Sequence, residues 1–336
     1  MKEYQSFAEI DELEPEYLTE SMLPPIPRSD VTILYGPGGI GKGRIIATII
    51  AEVTNAGGTV ITIMPEDDPH EQIRPRLETA EADLSRVIDL TTVGGSRFKL
   101  SAGSRDAGHQ QLLATAIDDL NKNGHYVQLV VIDPIAAVAL GTISTNRGAR
   151  ALIEPLQDLA ATTGVSILAV AHAIKNGKLQ GSEGLRDAAR LVYRVSVDET
   201  DPTVREVFAE KHNNLPDADP LRFTIEPDGE GRPRVVWLTR DEIDKRTRDW
   251  RTPAAIERVT EALATAEHPL TAQKVSVLAG VTYGHARVLL HRMTRDGIAF
   301  SPRRGVYSLS SVTIPGQRVT KLQGGEMSEM PEFGKD

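Results

Sequence analysis

Cysteine is missing from all 336 residues. That excludes disulfide staples, thiolate metal sites and a cysteine nucleophile, and it agrees with a reducing compartment. Long apolar runs are missing too. The longest, Leu129 to Leu140, is broken by Asp133 and is too short to span a bilayer. The start, Met1 to Phe7, has no charged-then-apolar layout of a secretion signal, so a cytoplasmic protein with no membrane partner is expected. An excess of positive charge is also lacking. The net charge of −9 argues against a uniformly basic coat for nucleic acid, but it averages unlike segments. Residues 1–30 form an acidic extension, whereas from about residue 250 arginines outnumber acids, so a nucleic-acid contact on a basic surface would sit there. Forty per cent apolar and 25% charged residues are ordinary for a globular chain, and the length allows one large domain and one small one.

The strongest signal present is Val31 to Tyr35, a short apolar strand that empties into Gly36-Pro37-Gly38-Gly39-Ile40-Gly41-Lys42-Gly43-Arg44. Glycines at this spacing let backbone N–H groups turn inward around the phosphates of a nucleoside triphosphate. The next helix presents its positive end, and Lys42 adds a point charge. ATP is the expected ligand. One group is absent here as well: the Ser or Thr that normally follows the lysine and gives its hydroxyl to Mg²⁺ is Gly43, so the metal must rely on other groups.

Downstream, strands and helices alternate: Thr59–Met64, Pro69–Ala82, Arg86–Val93, Ala107–Asn121, Val127–Asp133, Gly148–Thr163 and Val165–Ala171. Unalternating Val/Ile/Leu strands between helices indicate a mainly parallel sheet covered on both faces, an α/β class. Four strands without helices follow, Leu191–Asp198, Val204–Lys211, Leu221–Glu226 and Pro233–Leu238, which add an antiparallel edge. The core domain is therefore 31–240, with a charged linker at 241–253. Residues 254–310 read as helix, helix, helix and hairpin, the order of a winged helix-turn-helix, and 311–336 as a disordered tail.

Triphosphate hydrolysis needs a metal-orienting carboxylate and a group that polarises the attacking water. Asp133, at the end of an apolar strand, fits the first role as the Mg²⁺ carboxylate. Pro134 follows it, so the base must come from elsewhere. Glu66 leaves the carboxyl end of the 59–64 strand, where ligands bind in open α/β sheets. Its neighbour Asp68 has a structural task instead, capping a helix that starts at Pro69.

These stations together resemble the hexameric replicative helicases of the RepA type: Leu34 to Lys42, Pro65 to Pro69, Val131 to Pro134, Ala171 to Lys175, and Lys211 to Asn213, in that order over roughly residues 20–240. The resemblance implies a RecA-like P-loop NTPase core assembled as a homo-oligomeric ring that hydrolyses ATP while acting on single-stranded DNA in replication. It makes Lys42 the phosphate ligand, Glu66 the general base and Asp133 the Mg²⁺ ligand. His172 becomes a sensor of the γ-phosphate. Arg186, Arg190 or Arg194 reaches into a neighbour's site, with Arg190 preferred. Lys211 is a further contact of that kind, and Asn213 stands where related DnaB-like helicases carry arginine. A RadA- or KaiC-like recombination ATPase shares this core. A nucleotide-sensing DNA-binding regulator with little turnover is the reading from another class.

Two loops are suited to following a phosphate backbone without reading sequence: Gly141 to Gly148 with Arg147, and Lys175 to Gly181 with Lys178. In the C-terminal segment Ala286, Leu289, Leu290 and Met293 form a buried stripe, leaving Arg287, His291 and Arg295 on another face, with Arg303 and Arg304 on the hairpin turn. That surface suits duplex DNA or a replication protein.

Overall fold

The computed structural model describes residues 16–19, 23–101, 108–141, 143–173, 179, 183–198, 201, 203–212, 219–250, 253–266, 268–281, 283–303 and 305–310. They belong to two compact units, one running to Ile243 and one starting at Asp244. Most of the acidic extension, Lys175, Lys178, Asn213, Arg304 and the tail from 311 lie outside the described residues.

The first unit runs β1 (Val31–Gly36), α1 (Lys42–Asn55), β2 (Thr59–Ile63), α2 (Arg74–Thr79), β3 (Val87–Asp89), α3 (Gly108–Lys122), β4 (Val127–Ile132), α4 (Asn146–Thr163), β5 (Ser166–His172), α5 (Glu183–Ala188), β6 (Leu191–Val197), β7 (Arg205–His212), β8 (Leu221–Pro227) and β9 (Pro233–Leu238). Among the described residues these strands form one sheet in the order β9-β8-β7-β6-β1-β5-β4-β2-β3. From β6 to β3 every pairing is parallel, and β7, β8 and β9 join antiparallel. This is the α/β P-loop core with an antiparallel edge that the apolar pattern predicts. β5 lies between β1 and β4, so the strand ending in His172 separates the phosphate-loop strand from the Asp133 strand.

Two apolar layers hold the sheet. Ile45, Ile49 and Leu77 from α1 and α2 pack with Leu34, Val60 and Val131 on one face. On the other, Leu113, Leu152 and Leu156 from α3 and α4 pack with Ile33, Val130 and Ile167. Each such fully buried side chain contributes about 1.5–3 kcal/mol relative to exposure. These layers keep the ends of the parallel strands in register, and thereby fix where the loops beyond them begin.

Local chemistry adjusts several expected boundaries. The helix expected at 69–82 is a wide turn, Pro69–Ile73, followed by α2. Pro75 has no N–H to donate to Glu71, and the ladder shifts to the Arg74 N–H bonding the Pro69 carbonyl. Asp68 caps the turn as expected, accepting from the N–H groups of His70 and Glu71 at 2.8 Å. The strand expected at 86–93 ends at Asp89, whose side chain accepts from the Thr91 N–H and turns the chain. Thr145 caps α4 through the Gly148 N–H, so Arg147 lies in the first turn of a helix rather than on an open loop. The linker expected from residue 241 is helical, α6 (Arg240–Trp250). A reciprocal Thr239–Glu242 capping box starts it.

The second unit continues with α7 (Pro253–Ala264), β10 (Leu270–Thr271), α8 (Ala272–Ala279), α9 (Tyr283–Arg295), β11 (Ala299–Arg303) and β12 (Val306–Leu309), the strands ordered β10-β12-β11. Its core is built on Val259, Leu263, Val275, Leu289, Leu290 and Met293. The third strand, β10, is too short to register as a pattern in sequence. Among the described residues no helix is long and apolar enough to cross a membrane.

Candidate active site

The parallel strands deliver their following residues to one edge of the sheet. β1 hands the chain to the glycine loop, β2 to Glu66 and Asp67, β4 to Asp133 and β5 to His172. Together with α2 and β8 these loops line one cleft of about 290 Å³. Gly38, Gly39, Gly41, Lys42, Gly43 and Arg44 form its floor, and Ile225 of β8 closes one side. Gly41 is required by its backbone. Its φ of 110° is left-handed, and a Cβ there would come within 2.8 Å of Ile225 Cδ1. Ile40 is turned into the core, so the loop presents backbone to the cleft at that position.

The Lys42 ammonium donates to the carbonyls of Gly36 at 2.9 Å and Pro37 at 3.0 Å, which hold it over the loop. Burial pushes its pKa down, and the nearby Asp133 charge opposes that shift. Asp133 is pushed up to about 6, by burial first and then by the like charge of Asp67, against the attraction of Lys42, His172 and Arg76. Glu66 and His172 face one another across the mouth, Oε2 to Nε2 at 3.7 Å. All four catalytic positions expected within one chain are therefore neighbours in the fold.

Other expected residues sit elsewhere. Arg190 precedes β6 at the opposite end of the sheet and pairs with Asp30 at 3.2 Å. Arg186 lies 3.8 Å from Glu210, and the Arg194 guanidinium stacks over Phe208. Lys211 is committed to the end of α5, donating to the carbonyls of Arg186, Asp187 and Ala189. Arg147 is exposed at the start of α4. In the second unit Arg287, His291 and Arg295 are exposed on α9 while Ala286, Leu289, Leu290 and Met293 are buried, the division the helical period predicts. Arg303 is exposed on β11.

Arg76 and Ile225 escape a reading of motifs, and Asp67 lies within the Pro65 to Pro69 motif without an expected role. Arg76 forms an ion pair with Asp67 and stands beside Gly43. The signal for it is the missing side chain at 43, which leaves room in the loop for another group. Arg44 points away from the glycine loop and donates to the Pro233 carbonyl at 2.7 Å. With Thr48, Arg76, Pro233 and Val235 it lines an adjoining hollow of about 200 Å³.

The donor set fits Mg²⁺, which takes one or two carboxylates plus phosphate oxygens and keeps several waters. Asp133 is a poorly solvated carboxylate in want of a cation, with Asp67 close enough to raise its pKa. Among the described residues no group of three or more His, Asp or Glu side chains could hold a metal alone.

A family model described as an AAA domain matches residues 3–178. Among solved structures, one described as an ATPase domain is similar at 11% identity and a TM-score of 0.45, covering 59% of this chain and 81% of its own. No curated protein matches the chain.

Proposed function

The chain belongs to the AAA domain family, and from that premise we propose that it is a DNA-dependent ATPase of the RepA-like ring-helicase kind, acting on single-stranded DNA. The observation that carries this reading is the convergence of Lys42, Asp133, Glu66 and His172 on one cleft beneath the glycine loop. ATP would lie with its phosphates on the loop N–H groups and Lys42, and with its base toward the hollow beside Arg44. A Mg²⁺ ion entering with the triphosphate would be held by Asp133 and would shield the phosphate charge.

Glu66 would accept the proton of the attacking water. As the water oxygen bonds to the γ-phosphorus, the bond from that phosphorus to the β-bridging oxygen breaks, ADP departs and the proton passes to Glu66. His172, 3.7 Å from Glu66, would feel loss of the γ-phosphate and pass it to the residues after β5, where Lys175 and Lys178 are proposed to hold the DNA backbone with Arg147. Arg190, its side chain 62% exposed, is the proposed contact to a neighbouring subunit's phosphates. The second unit is proposed as a winged helix whose Arg287, His291 and Arg295 face, with Arg303 and Arg304, meets duplex DNA or a replication protein.

The test is ATP turnover with and without single-stranded DNA. Stimulation of tenfold or more supports the reading, and turnover indifferent to DNA overturns it. Gly43 favours a second reading, a regulator in which ATP sets conformation without being consumed. That protein would bind ATP and leave it intact under both conditions.

A further inference from the structure

The place where a phosphate loop normally carries a hydroxyl is taken here by a cation from another element. A Cβ built on Gly43 would lie 2.7 Å from Arg76 Nη1, 3.3 Å from its Cζ and 3.7 Å from its Nε. The guanidinium thus stands where a Ser or Thr side chain would begin. Arg76 follows Pro75 in the first turn of α2, just after the wide turn, and Leu77, buried against the core, anchors the helix. Asp67 pairs with it from the loop after β2.

Its surroundings are those of an anion site. Arg76 lines both the main cleft and the hollow shared with Arg44. Burial, and after it the like charge of Arg76, push the Arg44 pKa down, while the Asp67 carboxylate offsets part of the Arg76 charge. A guanidinium offers a planar fork of N–H donors that fits phosphate oxygens, which a serine hydroxyl does not.

We propose that Arg76 is a phosphate-binding residue that replaces the missing hydroxyl of the loop, and that Gly43 is glycine because this guanidinium needs its space. The inference rests on the nucleotide reading above and deepens it. Part of the triphosphate charge is met by a fixed cation of the protein, so ATP binding depends only weakly on divalent metal. The guanidinium is the far end of a flexible side chain, so Gly43→Ser displaces it without unfolding the protein.

The experiment is titration with a fluorescent ATP analogue, in excess Mg²⁺ and in excess chelator, of the full chain and of Arg76→Ala, Arg76→Lys, Gly43→Ser and the Gly43→Ser/Arg76→Ala double variant. The wild-type affinity should fall less than about threefold on chelation, whereas Arg76→Ala should lose about tenfold or more without metal and recover part of it with Mg²⁺. Arg76→Lys, which keeps charge and loses the fork, should fall between them. Gly43→Ser should resemble Arg76→Ala and add little in the double variant, because both remove the same interaction. Thermal melting identifies any variant that fails to fold, and Arg76→Lys and Gly43→Ser then decide the matter without Arg76→Ala. Wild-type binding with Arg76 variants unchanged, or with losses that simply add, overturns the role of Arg76 alone. A wild-type chain that binds no analogue overturns the nucleotide site itself.

Discussion

The two ends of the parallel strands carry similar residues and treat them differently. At the carboxyl end Lys42, Asp133, Glu66 and the Arg76–Asp67 ion pair stand around an open cleft. At the amino end Arg190 closes on Asp30 at 3.2 Å. The difference follows from chain direction. A residue just beyond a strand's carboxyl end enters a loop or helix start, where backbone N–H groups are available for anions and neighbouring loops can part around a ligand. At the amino end the chain is returning from a helix, and opposite charges can pair with each other. Within one chain, charge type alone therefore identifies no site; the end of the sheet that carries the charge does.

Breaking the carboxyl end should have the largest effect. Lys42→Ala is expected to reduce ATP turnover by about a hundredfold or more through weaker phosphate binding and positioning, measured as kcat/KM. Arg190→Ala should separate the two ends: if it acts on a neighbour's phosphates, turnover falls by about tenfold or more while ATP affinity in binding titrations stays unchanged. A change confined to stability, below about 1 kcal/mol, would mark Arg190 as nothing more than a surface ion pair.

Asp133 sharpens the comparison through pH. Its carboxyl is pushed up to about 6 in the fold, above an unfolded value of about 3.9. Ionising it therefore costs stability, and the cost is absent below about pH 4 and complete above about pH 6. Asp133→Asn should raise the nucleotide-free melting temperature at pH 7.5, by a gain of up to about 3 kcal/mol, and leave it unchanged near pH 4, while turnover is abolished. The smallest effect is expected in the second unit. Replacing Arg287 and Arg295 by Ala should weaken duplex DNA binding by a few fold and flatten its salt dependence by about one unit for each phosphate no longer neutralised, seen in anisotropy titrations over a salt series.

What sequence makes legible here is what is contiguous or periodic. The glycine loop is a local motif, and Glu66, Asp133 and His172 each follow an apolar strand, so their meeting at one edge follows from a parallel sheet. The stripe on α9 is legible because burial repeats every 3.6 residues. Arg76 is not, because its placement depends on a ladder shifted by Pro75 and on a space that only a folded loop reveals. The α6 helix reads as linker because its residues are charged all round, and its start is marked only by the Thr239–Glu242 box. The resemblance makes Lys211 a contact to a neighbour's site, and within one chain its ammonium donates to the carbonyl end of α5.

The central claim is that the cleft turns ATP over and does more than hold it. Single-turnover hydrolysis of radiolabelled ATP, run beside a binding titration on wild type and Glu66→Gln, tests it most directly. Equal binding by both proteins is expected, with product from the wild type and a loss of about a hundredfold or more in the variant. Equal binding with no product from either protein, or equal product from both, would contradict it.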